Sequence, residues 1–337
     1  MGEIERVCVL GAGSWGTTVA SLFAHRVPTY LWARSLQVAD EIDQHHTNTK
    51  YLGDIELSPS LRSTHDLELA LSGCSLVVLA VPSHGLREIV TQASKWISHQ
   101  IPILSLTKGI EAGSNMRMTQ IVEEQLASTK IGFLTGPNLA REVIEGQPTA
   151  SVIASNDEGL SHEIQRLLHS KTMRVYRNSD IVGSEIAGAL KNVMAIAAGM
   201  AEDLGFGDNS RAALITRSLA EIGRLGVRLG GRPMTFAGLA GLGDLVATCT
   251  SVRSRNHSVG RMLGQGFSLE EILAKMNMVA EGVKTAPVAV ELGRSNGVEM
   301  PISYEIARVL SAEQNPSECV ANLLGRSAGE ESEGMEL

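Results

Sequence analysis

Apolar positions in the first half of the chain fall into short continuous runs that are closed by glycine, proline or serine. Five of these runs are RVCVLGAG, TYLWARS, SLVVLAVPS, IPILSLTKG and IGFLTGPN. An uninterrupted apolar run of this length predicts a strand that is buried on both faces, which is typical of a parallel sheet. Helical patterns separate the runs, so the first half is predicted to form a doubly wound α/β domain.

The pattern changes near Ser184, where long helical segments replace the strand-like runs. No strand is predicted among these segments, which cover residues 184–203, 209–229, 233–249, 254–264, 268–277, 283–296 and 301–312. We therefore predict an α/β domain over 1–183 and an all-helical (all-α) domain over 184–325. The last residues, 326–337, form an acidic tail with almost no apolar residues, and the tail is predicted to be disordered.

The composition is that of an ordinary globular protein, and it limits the classes of partner. The 337 residues are 43% hydrophobic and carry a net charge of −8, which argues against general binding to nucleic acid or to anionic membranes. No stretch approaches about 18 uninterrupted apolar residues, so no membrane span is expected. The four cysteines are far apart and lack metal-ligand spacing, which favours reduced thiols, a cytoplasmic protein and no metal site.

A glycine-rich turn follows the first predicted strand and opens a helix. Gly11, Gly13 and Gly16 have the G-x-G-x-x-G spacing, which in this context is typical of a Rossmann-type dinucleotide site rather than of a turn that merely packs. The second strand ends at Arg34 with no acidic residue beside it. An arginine at that point accommodates a 2′-phosphate, so NADPH is the predicted cofactor and NAD stays possible. An ordinary surface arginine is the alternative interpretation of Arg34.

A lysine lies within the otherwise small and apolar helical run EIAGALKNVMAIAAG. The helix neighbours of Lys191 are mostly small and leave room for a ligand; they are Ala187, Gly188, Met194 and Ala195. This lysine is therefore either a buried group with a chemical role or a residue that extends to solvent. Lys108 ends a predicted strand, where it could hold substrate oxygens or simply be solvated.

A single acid and a basic stretch follow in the helical half. Asp244 lies within the apolar, glycine-rich segment GLAGLGDLVATC. Shortly after it, the densest basic stretch of the chain carries Arg253, Arg255, Asn256, His257 and Arg261. Guanidinium and amide donors ahead of a helix suit a phosphate or a carboxylate. A charged, solvated helix face is the alternative interpretation.

Several motifs occur in series along residues 5–312: GAGSWGT, LTKGIE, GPNLAREV, EIAGALKNVMAIAAG, GLAGLGDLVATC, SRN and VAEGVKTA. Together they resemble the bacterial NAD(P)-dependent glycerol-3-phosphate dehydrogenase family, and the series is far more specific than any one motif. The resemblance implies reduction of dihydroxyacetone phosphate, a triose phosphate, to sn-glycerol 3-phosphate. This reversible reaction supplies glycerophospholipid synthesis. A homodimer formed through the helical half is also implied.

The resemblance implies roles for individual residues. Lys191 matches the general acid/base, and Lys108 matches a residue that contacts both substrate and cofactor. The other implied substrate contacts are Gly136, Asn138, Asp244, Ser254, Arg255 and Asn256. The implied cofactor contacts, besides the three glycines, are Ser14, Trp15, Arg34, Tyr51, Lys108, Ala140, Arg255, Val279 and Glu281. The chain departs from the family pattern at Asn138, where many members carry serine.

The chemistry of a carbonyl reduction agrees with these roles. A lysine ammonium can protonate the alkoxide that hydride addition creates, and burial beside another cation would lower its pKa toward the working pH. The first alternative is a dehydrogenase of the 3-hydroxyisobutyrate or 6-phosphogluconate type, which also uses a lysine on the first long helix of its second domain. The second alternative is a regulatory NADPH sensor without catalysis. The motif series favours glycerol-3-phosphate dehydrogenase over the former, and the retained lysines and acid favour an enzyme over the latter.

Overall fold

The computed structural model describes residues 3–127, 130–276 and 279–326. These residues form two compact units. The first contains the chain up to Thr107 together with Met118–Ile181, and the second contains Lys108–Arg117 and the chain from Val182. The short segment Lys108–Arg117 thus belongs to the helical unit, although it lies inside the range 1–183 that the sequence assigns to the α/β domain. Apart from Arg326, the predicted tail lies outside the described residues.

The first unit is built on a sheet that has eight strands among the described residues. They are β1 (Val7–Leu10), β2 (Thr29–Trp32), β3 (Leu61–Thr64), β4 (Leu76–Leu79), β5 (Ile103–Ser105), β6 (Ile131–Thr135), β7 (Thr149–Ser155) and β8 (Met173–Asn178). Their order is β3-β2-β1-β4-β5-β6-β7-β8. Every neighbouring pair is parallel except β6 and β7. The predicted doubly wound sheet is confirmed, with the difference that β7 and β8 run opposite to the other six strands.

Three of these strands do not appear among the five apolar runs of the sequence. β3 and β8 lie at the two edges of the sheet, and each alternates buried with exposed or partly exposed residues. Their pattern therefore lacks the continuous apolar run of a central strand. β7 is central but begins with small residues, TASV, which bury little apolar surface and give a weak signal.

Helices connect the strands of the first unit. They are α1 (Ser14–Ala24), α2 (Leu36–His45), α3 (Thr49–Leu52), α4 (Leu67–Leu71), α5 (Leu86–Ala93), α6 (Met118–Leu126), α7 (Ala140–Ile144) and α8 (Glu158–Leu168). Side-chain caps begin three of them: Ser35 accepts from Val38, Asp66 from Glu68 and Leu69, and Asp157 from Leu160. Such caps satisfy backbone donors that the first helical turn leaves free.

The second unit contains helices and no strand among its described residues. Its helices are α9 (Ile181–Asp203), α10 (Asp208–Arg228), α11 (Pro233–Ala237), α12 (Asp244–Thr250), α13 (Arg255–Gly264), α14 (Leu269–Lys275), α15 (Glu281–Asn296), α16 (Pro301–Leu310) and α17 (Pro316–Leu324). A π-helical turn, Leu239–Gly243, divides the predicted segment 233–249. The sequence prediction did not include α17, whose signals are a capping box and an N-terminal proline, with Cys319 as its buried residue.

Helix α9 is the central helix of the second unit. It is long and apolar enough to cross a membrane by length and composition, but 94% of its apolar window is buried inside the protein, as is usual for a core helix. Two glycines bring α9 and α13 into backbone contact. A Cβ at Gly199 would overlap the carbonyl of His257, and a Cβ at Gly260 would overlap the carbonyl of Ile196. This close approach packs the middle of α13 against the C-terminal half of α9.

Candidate functional site

The glycine turn of the first unit has the geometry of a dinucleotide cradle. Gly11 has φ +118°, and a Cβ there would lie 2.7 Å from the carbonyl oxygen of Ala80. A Cβ at Gly16 would overlap the Gly11 oxygen, whereas a Cβ at Gly13 would meet no atom of the described residues within 4 Å. The first and third glycines are therefore needed for the turn and for helix–strand packing, and the second faces open space. An incoming pyrophosphate needs that space at the N-terminus of α1.

Several predicted cofactor residues lie around this turn. Ser14 Oγ donates to the Tyr51 carbonyl oxygen at 3.0 Å, and Thr18 Oγ1 donates to the Ala140 carbonyl oxygen at 3.3 Å. The turn therefore lies close to the segments that contain Tyr51 and Ala140. The indole Nε1 of Trp15 is buried and has no hydrogen-bond partner among the described residues, so Trp15 keeps a donor for a ligand.

Asn48 is a residue of this turn that the sequence analysis did not single out. It is fully buried, and its Nδ2 donates to the carbonyl oxygen of Ala12 at 3.0 Å and to Thr17 Oγ1 at 2.8 Å. Asn48 thereby fixes the glycine turn from the side. A single asparagine between two helical patterns carries no periodic signal, so its function is visible only in three dimensions.

The other predicted residues of the first unit lie at carboxyl ends of strands. Arg34 is exposed after β2, next to the Ser35 cap of α2, which is where a reader of the adenine ribose is expected. Gly136 has φ +116° directly after β6, and Asn138 Nδ2 donates to Ser151 Oγ at 3.3 Å. These positions match the general rule that ligands bind beyond the carboxyl ends of parallel strands.

A cluster of three charged groups, which we call the lysine cluster, lies in the second unit. It consists of Lys108, Lys191 and Asp244. Lys191 is only 6% exposed and donates to Asp244 Oδ1 and, at 2.6 Å, to Thr248 Oγ1. Lys108 Nζ donates to the other carboxylate oxygen, Oδ2, at 2.7 Å. Lys191 is thus a buried charge, and the interpretation that it extends to solvent is wrong.

Burial and neighbouring charges set the protonation of the cluster. The pKa of Lys191 is lowered to about 8: burial is the main cause and the charge of Lys108 adds to it, while Asp244 opposes the shift. Burial by itself would raise the pKa of Asp244, but Lys108 and Lys191 outweigh it and hold that pKa below its ordinary value. The carboxylate therefore stays ionised near neutral pH, while the ammonium of Lys191 can lose its proton within a physiological range.

Thr248 completes the surroundings of Lys191. Its hydroxyl donates to the backbone oxygen of Asp244 at 2.6 Å, so its oxygen is oriented to accept from the Lys191 ammonium. Thr248 was not among the predicted site residues. The available signal was its spacing, since a residue four positions after Asp244 lies on the same helix face.

Buried amides lie next to the lysine cluster along α9. Asn256 Nδ2 donates to Asn192 Oδ1 at 2.9 Å, and the backbone N–H of Gly282 donates to Asn256 Oδ1 at 2.9 Å. These bonds fix the orientation of the Asn256 amide between α9 and the start of α15. Asn192, which directly follows Lys191, was not among the predicted site residues.

The remaining predicted residues lie at two helix starts of the second unit. Ser254 caps α13 by accepting from the backbone N–H of His257 at 3.3 Å, and Arg255 follows as the exposed first residue of that helix. Glu281 is the first residue of α15, and Val279 precedes it by two positions. Ser254 thus acts as a helix cap, a structural role that was not predicted for it.

Comparisons with known proteins identify the family. The profile described as NAD-dependent glycerol-3-phosphate dehydrogenase N-terminus matches residues 6–161, and the corresponding C-terminus profile matches 180–321. The chain is 49% identical to glycerol-3-phosphate dehydrogenase (NAD(P)+) of Mycobacterium avium over 98% of this chain and 97% of that protein. It is 48% identical to glycerol-3-phosphate dehydrogenase (NAD(P)+) 2 of Sphingopyxis alaskensis over 97% and 98% of the respective chains.

A solved structure agrees with these relatives. The crystal structure of glycerol-3-phosphate dehydrogenase from Coxiella burnetii matches with a TM-score of 0.92 and 36% identity. The match covers 96% of this chain and 99% of that one. The resemblance seen in the motif series is confirmed over nearly the whole length. The chain belongs to the NAD-dependent glycerol-3-phosphate dehydrogenase family.

Proposed function

We propose that this protein reduces dihydroxyacetone phosphate to sn-glycerol 3-phosphate with NAD(P)H, with Lys191 as the general acid. The observation that carries the proposal is the buried Lys191 ammonium, which contacts Asp244 and has a pKa of about 8. A proton donor with a pKa close to the working pH is an efficient general acid. The names of the relatives and of the crystal structure support the same reaction.

Each residue of the lysine cluster has its own role in the carbonyl reduction. When bound, the reduced nicotinamide supplies the hydride that the C2 carbonyl carbon accepts. Lys191 donates its proton to the carbonyl oxygen, so that C=O becomes CH–OH, and it takes the proton back in the reverse reaction. Asp244 and Thr248 hold the ammonium in place. The charge of Lys108 stabilises the negative charge that develops on the oxygen.

The start of α13 provides donors for the substrate phosphate. Arg255 contributes a guanidinium with fork-like donors, and Asn256 contributes an amide that Asn192 and Gly282 hold in a fixed orientation. Both residues lie in the first turn of a ten-residue helix, where the helix dipole favours an anion. We propose that Gly136, Asn138 and Ser254 complete the substrate site.

NADPH is the proposed preferred cofactor, and NAD also fits the glycine turn. The cradle at Gly13 suits the pyrophosphate of either dinucleotide. Arg34 is exposed at the end of β2, where a 2′-phosphate would add a charged hydrogen bond that NADH cannot make. We propose that Ser14, Trp15, Tyr51, Ala140, Val279 and Glu281 make the remaining cofactor contacts.

The two alternative functions receive less support. Matches to both halves of the glycerol-3-phosphate dehydrogenase family favour this reaction over a 3-hydroxy acid dehydrogenase. A non-catalytic NADPH sensor would have no use for the lysine cluster, whose buried charges are costly to maintain. The intact cluster therefore favours an enzyme.

Loss of reduced-nicotinamide absorbance tests the proposal directly. Purified protein is mixed with NADPH or NADH and dihydroxyacetone phosphate, with unphosphorylated dihydroxyacetone as the substrate control. Substitution Lys191→Ala is expected to lower turnover by roughly 100-fold or more while NADPH affinity stays nearly unchanged. The matched control is Lys171→Ala, which removes an exposed lysine of the first unit. Turnover of K191A within a few-fold of wild type would refute the assignment.

We propose that the protein forms a homodimer through its helical unit. The support is a set of exposed apolar side chains in that unit, among them Leu324 (77% exposed), Met234 (72% exposed) and Val252 (70% exposed). Exposed apolar surface of this kind is typical of an association site. Substitution Met234→Glu is expected to shift the molar mass by light scattering from dimer toward monomer. A wild-type monomer at micromolar concentration would refute the proposal.

We also propose a cytoplasmic location. The four cysteines, Cys8, Cys74, Cys249 and Cys319, are all buried and free, as expected for a protein that folds in a reducing compartment. Fractionation of the cells that make the protein tests this, and recovery in an extracytoplasmic fraction would refute it.

A further inference from the structure

Residues Lys108–Arg117 form a small hairpin, which we call the lysine hairpin because Lys108 is its first residue. Ile110 and Arg117 pair as an isolated antiparallel bridge, and the Glu111 N–H donates to the Met116 carbonyl oxygen at 2.9 Å. The turn contains Gly113 with φ +87° and Asn115 with φ +59°. The two ends of the hairpin are therefore tied to each other, and a displacement of one end moves the other.

The lysine hairpin is held on the helical unit at both ends. Near its first end, Ile110 is 3% exposed and packs in the apolar core of that unit. At its last end, the Arg117 guanidinium donates to the Glu185 carboxylate of α9. The Arg117 side chain is 18% exposed and that of Glu185 only 2%. Asn115 adds an exposed hydrogen bond to Glu291 at 3.0 Å.

The Arg117–Glu185 ion pair is a buried polar attachment of the hairpin, at the opposite end from Lys108. A carboxylate as deeply buried as that of Glu185 needs a cation, because an uncompensated charge in the interior is very costly. The exposed Asn115–Glu291 bond competes with water and contributes little. The Lys108 side chain has only a four-carbon reach, so a shift of the hairpin backbone away from Asp244 takes Nζ out of contact with the carboxylate.

We propose that Arg117 and Glu185 are positioning residues: their ion pair fixes the lysine hairpin on α9 and so keeps Lys108 in contact with Asp244. The inference rests on the proposed function, in which Lys108 stabilises the developing oxyanion. Neither Arg117 nor Glu185 belongs to the predicted substrate or cofactor contacts. Both act through Lys108, whose Nζ lies 2.7 Å from the Asp244 carboxylate.

A double-mutant cycle separates positioning from a general structural role. Substitution Arg117→Gln is expected to lower kcat by roughly tenfold when Lys108 is present and to have almost no further effect in a Lys108→Met background. Substitution Glu185→Gln is expected to behave in the same way. Arg117→Lys keeps a cation and is expected to retain most of the activity. The matched control is Arg326→Gln, which breaks the exposed Arg326–Glu299 ion pair of the same unit.

The pH dependence of kcat provides a second measurement that a merely destabilised variant would not change. The charged or titratable groups that act on Lys191 are Asp244, Lys108 and Cys249. Because the charge of Lys108 lowers the pKa of Lys191, withdrawal of Lys108 is expected to move the alkaline limb of the profile to higher pH. An R117Q profile superimposable on that of the wild type would overturn the proposal.

Loss of the Arg117 cation beside the buried Glu185 carboxylate destabilises R117Q, so the neutral pair R117Q/E185Q serves as the second variant. Amide hydrogen exchange of the peptide that contains residues 108–117 is expected to be faster in R117Q/E185Q than in the wild type, and this readout needs no turnover. Wild-type protein without reductase activity would refute the proposed function, whereas faster exchange would still support the attachment. Equal loss of activity with and without Lys108, or unchanged hairpin exchange, would overturn the positioning role.

Discussion

Replacing Asp244 by asparagine removes one negative charge from the lysine cluster and leaves its shape almost unchanged. In the wild type, the carboxylate lies between Lys191 and Lys108, whose Nζ is 2.7 Å away. Burial is the largest influence on the pKa of Lys191 and lowers it, and the charge of Lys108 acts in the same direction. Asp244 is the main opposing influence. In the D244N variant the pKa of Lys191 is therefore expected to fall below about 8.

The size of the effect follows from the contact distances. An opposite charge in direct contact changes a pKa by about 1–3 pH units. A fall of about 2 pH units reduces the protonated fraction of Lys191 at about pH 7.5 from roughly three quarters to roughly 3%. Reduction needs the protonated lysine, so kcat is expected to fall about 25-fold from this effect alone.

The assay is a pH–rate profile for dihydroxyacetone phosphate reduction under saturating NADPH. The wild type is expected to lose activity as the pH rises through about 8. The D244N variant is expected to lose it at lower pH and to recover part of its activity in acid. The control is Asp208→Asn, which removes an acid whose side chain is 95% exposed. An alkaline limb that stays near that of the wild type, or a loss of kcat that is equal at every pH, would refute the reasoning.

Three further predictions concern stability and cofactor binding. The folded-state pKa of Lys191 lies below the unfolded value of 10.5. The contribution of Lys191 to the free energy of unfolding should therefore rise by about 3 kcal/mol between pH 8 and 10.5. Denaturation of the wild type at the two pH values should show this contribution, and denaturation of K191M should lack it. Substitution Gly13→Ala should weaken NADPH binding roughly tenfold with little change in Tm, whereas Gly16→Ala, whose Cβ would overlap Gly11, should lower the Tm itself. Substitution Arg34→Gln should raise KM for NADPH by about 10-fold or more and leave KM for NADH nearly unchanged; equal changes for both cofactors would contradict the role of Arg34.

Local patterns in the sequence predicted the parts of the fold that local chemistry controls. Continuous apolar runs marked the central strands, because a strand buried on both faces needs apolar residues at successive positions. The spacing of Gly11, Gly13 and Gly16 predicted the turn, since nearby backbone limits Gly11 and Gly16 and a pyrophosphate needs the open space at Gly13. Edge strands β3 and β8 were not predicted, because polar residues on their exposed faces interrupt the apolar run.

The helix of Lys191 was evident from the sequence, but the state of the lysine was not. The sequence was compatible with a buried Lys191 and with one that extends to solvent, because the helix neighbours of Lys191 are small in either case. The structure decides for burial, since Asp244 and Thr248 supply polar partners that compensate the charge. These partners come from α12, a helix that the sequence placed inside the longer segment 233–249.

The sequence by itself determined the elements and most of the chemical groups of the candidate site, because strand, turn and helix patterns depend on neighbours along the chain. Only the tertiary structure decided which groups meet. Lys191 and Asp244 are 53 positions apart, and Lys108 and Asp244 are 136 positions apart. Their contacts depend on the packing of distant segments, including the lysine hairpin that joins the helical unit. The pKa of Lys191 depends on that packing, because it follows from burial and from charges that no local pattern brings together.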